Sequence, residues 1–437
     1  MLLLSHMITP KRPTGFHEFL PADQLAFDAM VTTIRQSYER FGYAPIETPA
    51  LELASVLHAK EGGESAKQGY QFTKGDTDLA LRFDLTIPLA RYVAEHYHEL
   101  AFPFRRYQIQ DVWRAEKPQA GRYRQFYQCD IDIIGSRNVI ADADVLIAMA
   151  DAMRSLKLQS VLRFSNRKIF SGLLSALKLT KYSTEILRLL DKLDKAGPLK
   201  LKKSLLELGI TSDNADRLLD TAAMKGSTAK ILSYLYALEI ENETFISGLN
   251  ELEETAQLLD AAGLSDDQYI IDLGIFRGFD YYTGMVFEIA LAERPDIGSV
   301  GGGGRYDNLV GHYSKEELPG VGGSIGLSRL FAALQDDKKS HGASTPARAL
   351  VVAFSHELLP YSLMVAKKLR EAGLNIISYP GIEKAGKQLA YAAKLGVPYA
   401  VLCGEDEERA KTVTIKNLQS GEQKTLTLAK AIAALKA

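Results

Sequence analysis

At 437 residues, with 46% hydrophobic and 24% charged residues and a formal net charge of −2, the chain has the composition of a globular protein of several domains. That balance excludes a global basic field, so any nucleic acid would be held by local patches. The two cysteines, Cys129 and Cys403, form no CxxC pair, which excludes a disulfide framework and a cysteine zinc site. The opening MLLLSHMITPKRP is too short in apolar residues for a signal-peptide core, and no run approaches the ~18 apolar residues of a membrane span. The expectation is a cytoplasmic chain with no membrane partner.

Leu25, Phe27, Met30, Val31, Ile34 and Tyr38 recur at helical spacing behind Pro21, and Gly42 ends that helix. The next run carries Pro45 and Pro49, so a strand there belongs at a sheet edge or an interface. From Phe104 the pattern alternates. Tyr107, Ile109, Asp111 and Trp113 fall on one side, with Gln108, Gln110, Arg114 and Glu116 on the other. After the turn 117–121, Tyr127, Cys129, Ile131 and Ile133 oppose Arg124, Phe126, Gln128, Asp130 and Asp132. Period two places each set on one face, which predicts a long antiparallel hairpin with a packed face and a polar, aromatic-studded one. Residues 170–265 read as a helical insertion between strand-rich blocks, with strands resuming at Tyr269–Asp272 and Met285–Ala290. Residues 335–346 are turn-rich and predict a linker. Beyond it strands and helices alternate through 347–437, as in a small α/β domain with a largely parallel sheet.

Two phosphate-loop lookalikes fail on chemistry. In Gly381-Ile-Glu-Lys-Ala-Gly386-Lys387, Gln388 stands where a hydroxyl must hold magnesium. Gly301–Gly304 opens no helix in a βαβ unit, so it signals either close backbone approach or a tight bend rather than a dinucleotide site. The eight histidines, His96 and His98 included, show no metal spacing, and no metal-ligating residues are assigned.

The polar hairpin face is the strongest signal. Arg114, Glu116, Arg124, Phe126, Gln128 and Asp132, with Arg122 at the turn, combine guanidinium forks for phosphate, an aromatic platform for a base, and carboxylate and amide groups for an amine. This is a kit for a nucleotide plus a small zwitterion.

The stretch YQIQDVWRAEKPQAGRYRQFYQCDIDIIGS resembles motif 2 of the class II aminoacyl-tRNA synthetases in their histidyl branch. RGFDYYTGMVFE and GGGGRYDNLVG resemble the two histidine signatures of the histidyl-tRNA synthetase family, and GVGGSIGLSRL resembles motif 3. The helix and strand ending at Thr48-Pro49 resemble motif 1, the family's homodimer interface. RFDLTIPLARY resembles its amino-acid-binding segment, and the chain beyond 347 its anticodon-binding domain. One departure is Ser328, where motif 3 commonly has Glu before its arginine.

The resemblance implies an α+β catalytic domain over 1–334 built on a class II antiparallel sheet, with the helical insertion inside it, and a C-terminal α/β anticodon-binding domain over 347–437. It also implies a histidine–tRNA ligase that uses ATP and Mg²⁺ to join L-histidine to tRNA(His) through histidyl-adenylate. By the same resemblance, Asp84 and Thr86, with Gln128, would hold the substrate amine, and Leu85 would be among the histidine-binding residues. Asp132 and Tyr282 would meet the imidazole, with Tyr281 beside them. Arg114 would contact the α-phosphate and the attacking carboxylate. Phe126 would stack on adenine near Glu116, and Arg122 and Arg329 would meet the γ-phosphate. Arg277 would serve as a catalytic cation at the α-phosphate and also touch histidine. The main alternative is the histidine-sensing regulatory subunit of ATP phosphoribosyltransferase. That paralogue usually lacks the C-terminal domain and degrades the arginine motifs. A class II synthetase for another amino acid is disfavoured by the RGFDYY segment.

Overall fold

In the computed structural model, which describes residues 9–58, 69–118, 121–276, 282–335 and 342–436, the first apolar spacing folds as the helix Pro21–Arg40. Ile34, Ser37 and Tyr38 lie on its buried side, and Gly42 follows with φ +75°, the left-handed backbone that glycine adopts freely after a helix. The described residues divide into two units, one of 9–17 and 30–335, the other of 18–29 and 342–436.

In the first unit, four short strands come early: β1 (Ala44–Pro45), β2 (Leu51–Leu53), β3 (Gln71–Lys74) and β4 (Thr77–Leu81). The last three form a small antiparallel sheet in the order β2-β4-β3. The expected hairpin follows as β5 (Phe104–Trp113) and β6 (Gln125–Ile134), paired from Phe104 opposite Ile134 to Trp113 opposite Gln125. β1 lies parallel to β5 at the sheet edge, where a proline removes no needed ladder bond.

β7 (Ser160–Asn166), β8 (Tyr269–Ile271), β9 (Met285–Leu291), β10 (Ser299–Tyr306) and β11 (Gly320–Gly326) complete an eight-stranded sheet. Its order is β1-β5-β6-β11-β10-β9-β7-β8, antiparallel except for the pairs β1–β5 and β7–β8. A parallel pair needs a long crossover. Between β7 and β8 a run of helices supplies it, from Arg167–Ala176 to Glu243–Ala261. Asn166, Thr211, Ser227 and Asn242 cap four of these helices, each side-chain oxygen accepting an otherwise orphaned backbone N–H.

The glycine run is no bend. Gly301–Gly304 lie inside β10, matched to Ile325, Ser324, Gly323 and Gly322 of β11. Of the two expectations, close approach is the one realised: a Cβ on Gly303 would sit 2.1 Å from the Gly322 carbonyl oxygen.

In the second unit, β12 (Ala349–Val352), β13 (Ile376–Ser378), β14 (Tyr399–Leu402), β15 (Thr412–Asn417) and β16 (Gln423–Thr427) order as β13-β12-β14-β15-β16. The expectation of a largely parallel sheet is corrected. Two pairs are parallel and two antiparallel, because TVTIKN and QKTLT close a hairpin at Asn417–Gly421. β16 is almost wholly exposed, so its sequence lacks the apolar alternation that would reveal it. Gln388 of the phosphate-loop lookalike is fully buried, donating to the carbonyls of Ala353 (2.7 Å) and Glu383 (2.6 Å). It ties a helix to a strand end. Of the expected linker, 336–341 lie outside the described residues, and 342–346 carry neither helix nor strand.

Candidate active site

Period-two alternation puts Arg106, Gln108 and Gln110 of β5 directly across from Asp132, Asp130 and Gln128 of β6. This face is polar yet not solvated: Arg106 and Gln108 are 0% exposed, Asp130 3% and Asp132 2%. Several of these polar atoms have no partner among the described residues, a costly arrangement that calls for an explanation. β11 pairs with β6 on the other side and brings Gly322 opposite Asp132 and Ser324 opposite Asp130. The glycines of β10 and β11 keep side chains off this floor. A Cβ on Gly322 would lie 1.9 Å from Asp132 Oδ1.

The space left is a chamber of about 260 Å³ lined by Asp84, Thr86, Arg114, Gln128, Asp130, Asp132, Tyr282 and Tyr306, among others. Burial pushes Asp130 up to about 7 and Asp132 up to about 6, against the pull of the Arg106 guanidinium. Asp84 is raised for the same reason, although its Oδ1 accepts from the Ile87 N–H at 3.0 Å. Tyr306 donates its hydroxyl to Asp132. Gln128 donates to Ser324 Oγ at 2.9 Å, which leaves its buried Oε1 unsatisfied. Burial also raises the Tyr282 hydroxyl, so it is a neutral donor at pH 7. A chamber of acids and hydrogen-bond acceptors, short of positive charge, suits a small ligand carrying an ammonium and ring N–H groups.

The chamber opens onto a cavity of about 490 Å³, and the two share Arg114, Gln128, Tyr282, Gly302 and Ser324. Arg114, just beyond β5, donates from Nε to the Phe83 carbonyl at 3.0 Å and lies over the Phe126 ring at 5.1 Å. Glu116, Arg122, Glu288 and Arg329 line the same cavity. Arg329 donates to the Ile297 carbonyl. The buried Ser328 accepts from the Tyr127 N–H at 2.9 Å, so at the position where motif 3 departs from its usual Glu the hydroxyl pins β6 to the helix Leu327–Gln335. Arginines and the half-buried Phe126 ring around a wide opening fit a nucleoside triphosphate.

Of the residues expected from the sequence, Asp84, Thr86 and Asp132 meet at the chamber, and Glu116, Arg122, Phe126 and Arg329 at the cavity, with Arg114, Gln128 and Tyr282 in both. Leu85 is not on either wall. Its side chain is fully buried, and only its carbonyl faces this region, accepting from Arg106 at 3.3 Å. Arg277 and Tyr281 lie outside the described residues. Asp272 is engaged by Arg163 (Nε 2.8 Å) and Lys225 (3.1 Å), which outweigh burial and hold its carboxyl below the usual range. Sequence reasoning missed Arg106, Asp130, Tyr306 and Ser324 as site residues. Arg106 continues the alternation of Gln108 and Gln110 by one step, and Tyr306 closes GGGGRY. Those were the available signals.

The chain matches the protein-family model described as Histidyl-tRNA synthetase over residues 15–330, and the Anticodon binding domain model over 348–437. A histidine–tRNA ligase of Clostridium tetani is 44% identical over 435 residues, covering 98% of this chain and 99% of that protein. One from Stenotrophomonas maltophilia is 43% identical, covering 95% of each. The crystal structure of histidyl-tRNA synthetase from Nostoc sp. PCC 7120 superposes with a TM-score of 0.90 at 36% identity, over 98% of this chain and 99% of that one.

Proposed function

Because the chain belongs to the histidyl-tRNA synthetase family, we propose that it ligates L-histidine to tRNA(His) in two steps, forming histidyl-adenylate and pyrophosphate from ATP and then passing the acyl group to the tRNA. The observation that carries this reading is the acid-lined chamber opening into an arginine-lined cavity at Arg114. In it, Asp84, Thr86 and Gln128 take the substrate ammonium, and Asp132 and Tyr282 the two imidazole nitrogens. Phe126 takes the adenine face, with Glu116 at its amino edge. Arg122 and Arg329 take the outer phosphates.

The attacking carboxylate is already ionised at pH 7, so the first step needs no general base. It needs in-line positioning and cations around a phosphorus centre that gains charge. Arg114 stands where both substrates would meet, and Arg277 is proposed as a second cation there. Mg²⁺ is expected to enter on the triphosphate, as part of that substrate. Among the described residues no group of three or more His, Cys, Asp or Glu could hold an ion by itself, and Mg²⁺ commonly shares one or two carboxylates with phosphate oxygens. Glu116 and Glu288, on the cavity wall, fit that part.

The domain division into catalytic (1–334, insertion 170–265) and anticodon-binding (347–437) parts is supported by the two family matches. We assign homodimerisation to the segment ending at Thr48-Pro49, and residence to the cytoplasm, where the tRNA substrate is charged. No described helix is long and apolar enough to cross a membrane. The regulatory-subunit alternative is disfavoured by the retained C-terminal match and by the intact arginines of both cavities.

The test is amino-acid-dependent ATP–pyrophosphate exchange across the twenty amino acids. Exchange with histidine alone is expected. Histidine binding with no exchange would favour the regulatory alternative, and exchange with a different amino acid would overturn the specificity.

A further inference from the structure

We propose that Arg106 is a positioning residue for the amino-acid substrate, a buried guanidinium that holds two walls of the small chamber in register. This rests on the reading of that chamber as the histidine site. One wall is Asp132, whose Oδ2 lies 2.5 Å from Arg106 Nη2. The other is the segment Asp84–Thr86, whose central carbonyl, that of Leu85, accepts from the same Nη2 at 3.3 Å. Arg106 therefore ties the carboxylate for the imidazole to the backbone that carries the groups for the ammonium. This also explains how Leu85 belongs to the site although its side chain points away from it.

The surroundings are not those of a matched structural ion pair. Arg106 is 0% exposed, yet its Nε and Nη1 have no hydrogen-bond partner among the described residues. Its contact with Asp132 is charge against charge without an aligned N–H, so Asp132 Oδ2 is also unsatisfied, as are Gln108 Oε1 and Asp130 Oδ1. Such a layer is costly by itself. Three carboxylates, Asp84, Asp130 and Asp132, face two guanidiniums, Arg106 from β5 and Arg114 from its end, while Tyr282 and Tyr306 add neutral hydroxyls. When the acids are ionised, the balance is one negative charge in excess, which a substrate ammonium completes. Without Arg106 the excess would be two, and the carboxylates would take up protons instead of the ligand.

The experiment measures wild type, Arg106→Lys, and the double variant Arg106→Met with Asp130→Asn, which keeps the net charge. Readouts are histidine Kd by calorimetry, exchange kinetics for both substrates, and the thermal midpoint. Lysine keeps a positive charge, but its chain is one bond shorter and its ammonium falls short of the Nη2 position that meets both Asp132 and the Leu85 carbonyl. We expect its histidine KM to rise about tenfold, with kcat at saturating histidine and ATP KM nearly unchanged. The double variant restores the charge count without the bridge and should bind histidine at least as weakly. An unchanged histidine KM in a folded variant, or equal rises for histidine and ATP, would overturn the proposal. So would failure of both variants to fold, which would make Arg106 a structural ion. If wild type binds no histidine, the reading of the chamber fails instead.

Discussion

The chamber and the cavity share Arg114, Gln128 and Tyr282, yet they are built from opposite materials. In the chamber, carboxylates are shut away from solvent on a glycine floor and answered by a fully buried guanidinium. In the cavity, Arg114 and Arg329 are half-buried, Arg122 is exposed, and Arg114 and Arg329 are braced by backbone carbonyls. Buried polar groups reject a wrong ligand strongly, because it leaves them unpaired. Cations on an open wall, partly or wholly solvated as these are, attract any polyphosphate and discriminate little. On the proposed reading, the chamber is therefore where selectivity would reside, and the cavity where a common substrate would be held.

The sharpest way to break this contrast is through the floor. Gly322→Ala drives a methyl to 1.9 Å from Asp132 Oδ1 and 2.6 Å from the Ile131 carbonyl oxygen. Overpacking on this scale should cost at least about 3 kcal/mol of stability and abolish histidine binding. Denaturant unfolding and calorimetry check both. Asp132→Asn is gentler. It removes the anion facing Arg106 and should weaken histidine by about tenfold or more while moving ATP much less. Equal losses for both substrates in equilibrium binding would mean that Asp132 only holds the sheet together.

A smaller effect separates the two regions by pH. Asp132 and Asp130 are raised to about 6 and about 7, so they favour the folded, ligand-free state most at low pH, below the unfolded carboxylate range. That contribution is lost as pH rises through 6 and 7. If the chamber takes the histidine ammonium as proposed, the ligand favours the ionised acids, and its stabilisation of the protein should grow across pH 5.5–7.5. Thermal midpoints with histidine, and separately with ATP, test this, and the ATP increment should change less. The smallest expected effect is none. Lys387→Ala should leave ATP KM unchanged, because Lys387 pairs with Glu383 at 3.3 Å and its neighbour Gln388 is spent on backbone carbonyls.

What was legible in the sequence followed periodicity. The first helix, the β5–β6 hairpin and the strand–helix alternation after 347 each announce themselves by apolar spacing. Gly301–Gly304 could not, since residues without side chains carry no period. β16 was hidden by its exposure, which leaves Lys, Thr and Gln along its length. In the site, Asp132 and Gln128 were visible as polar residues on one face. Arg106 was not, because charge in a strand reads as solvent until the partner strand shows it facing two buried acids. Leu85 was named through family likeness, but the structure turns its carbonyl, not its side chain, toward Arg106, an atom that no side-chain reasoning can single out.

On the proposed reading, chemistry happens at Arg114, where chamber and cavity meet. Single-turnover formation of histidyl-adenylate by Arg114→Ala, measured beside equilibrium binding of histidine and of ATP, tests it most directly. The expected rate is lower by about 10²-fold or more, as for loss of a preorganised charge, with both affinities changed far less. A folded variant that forms adenylate at the wild-type rate would contradict it.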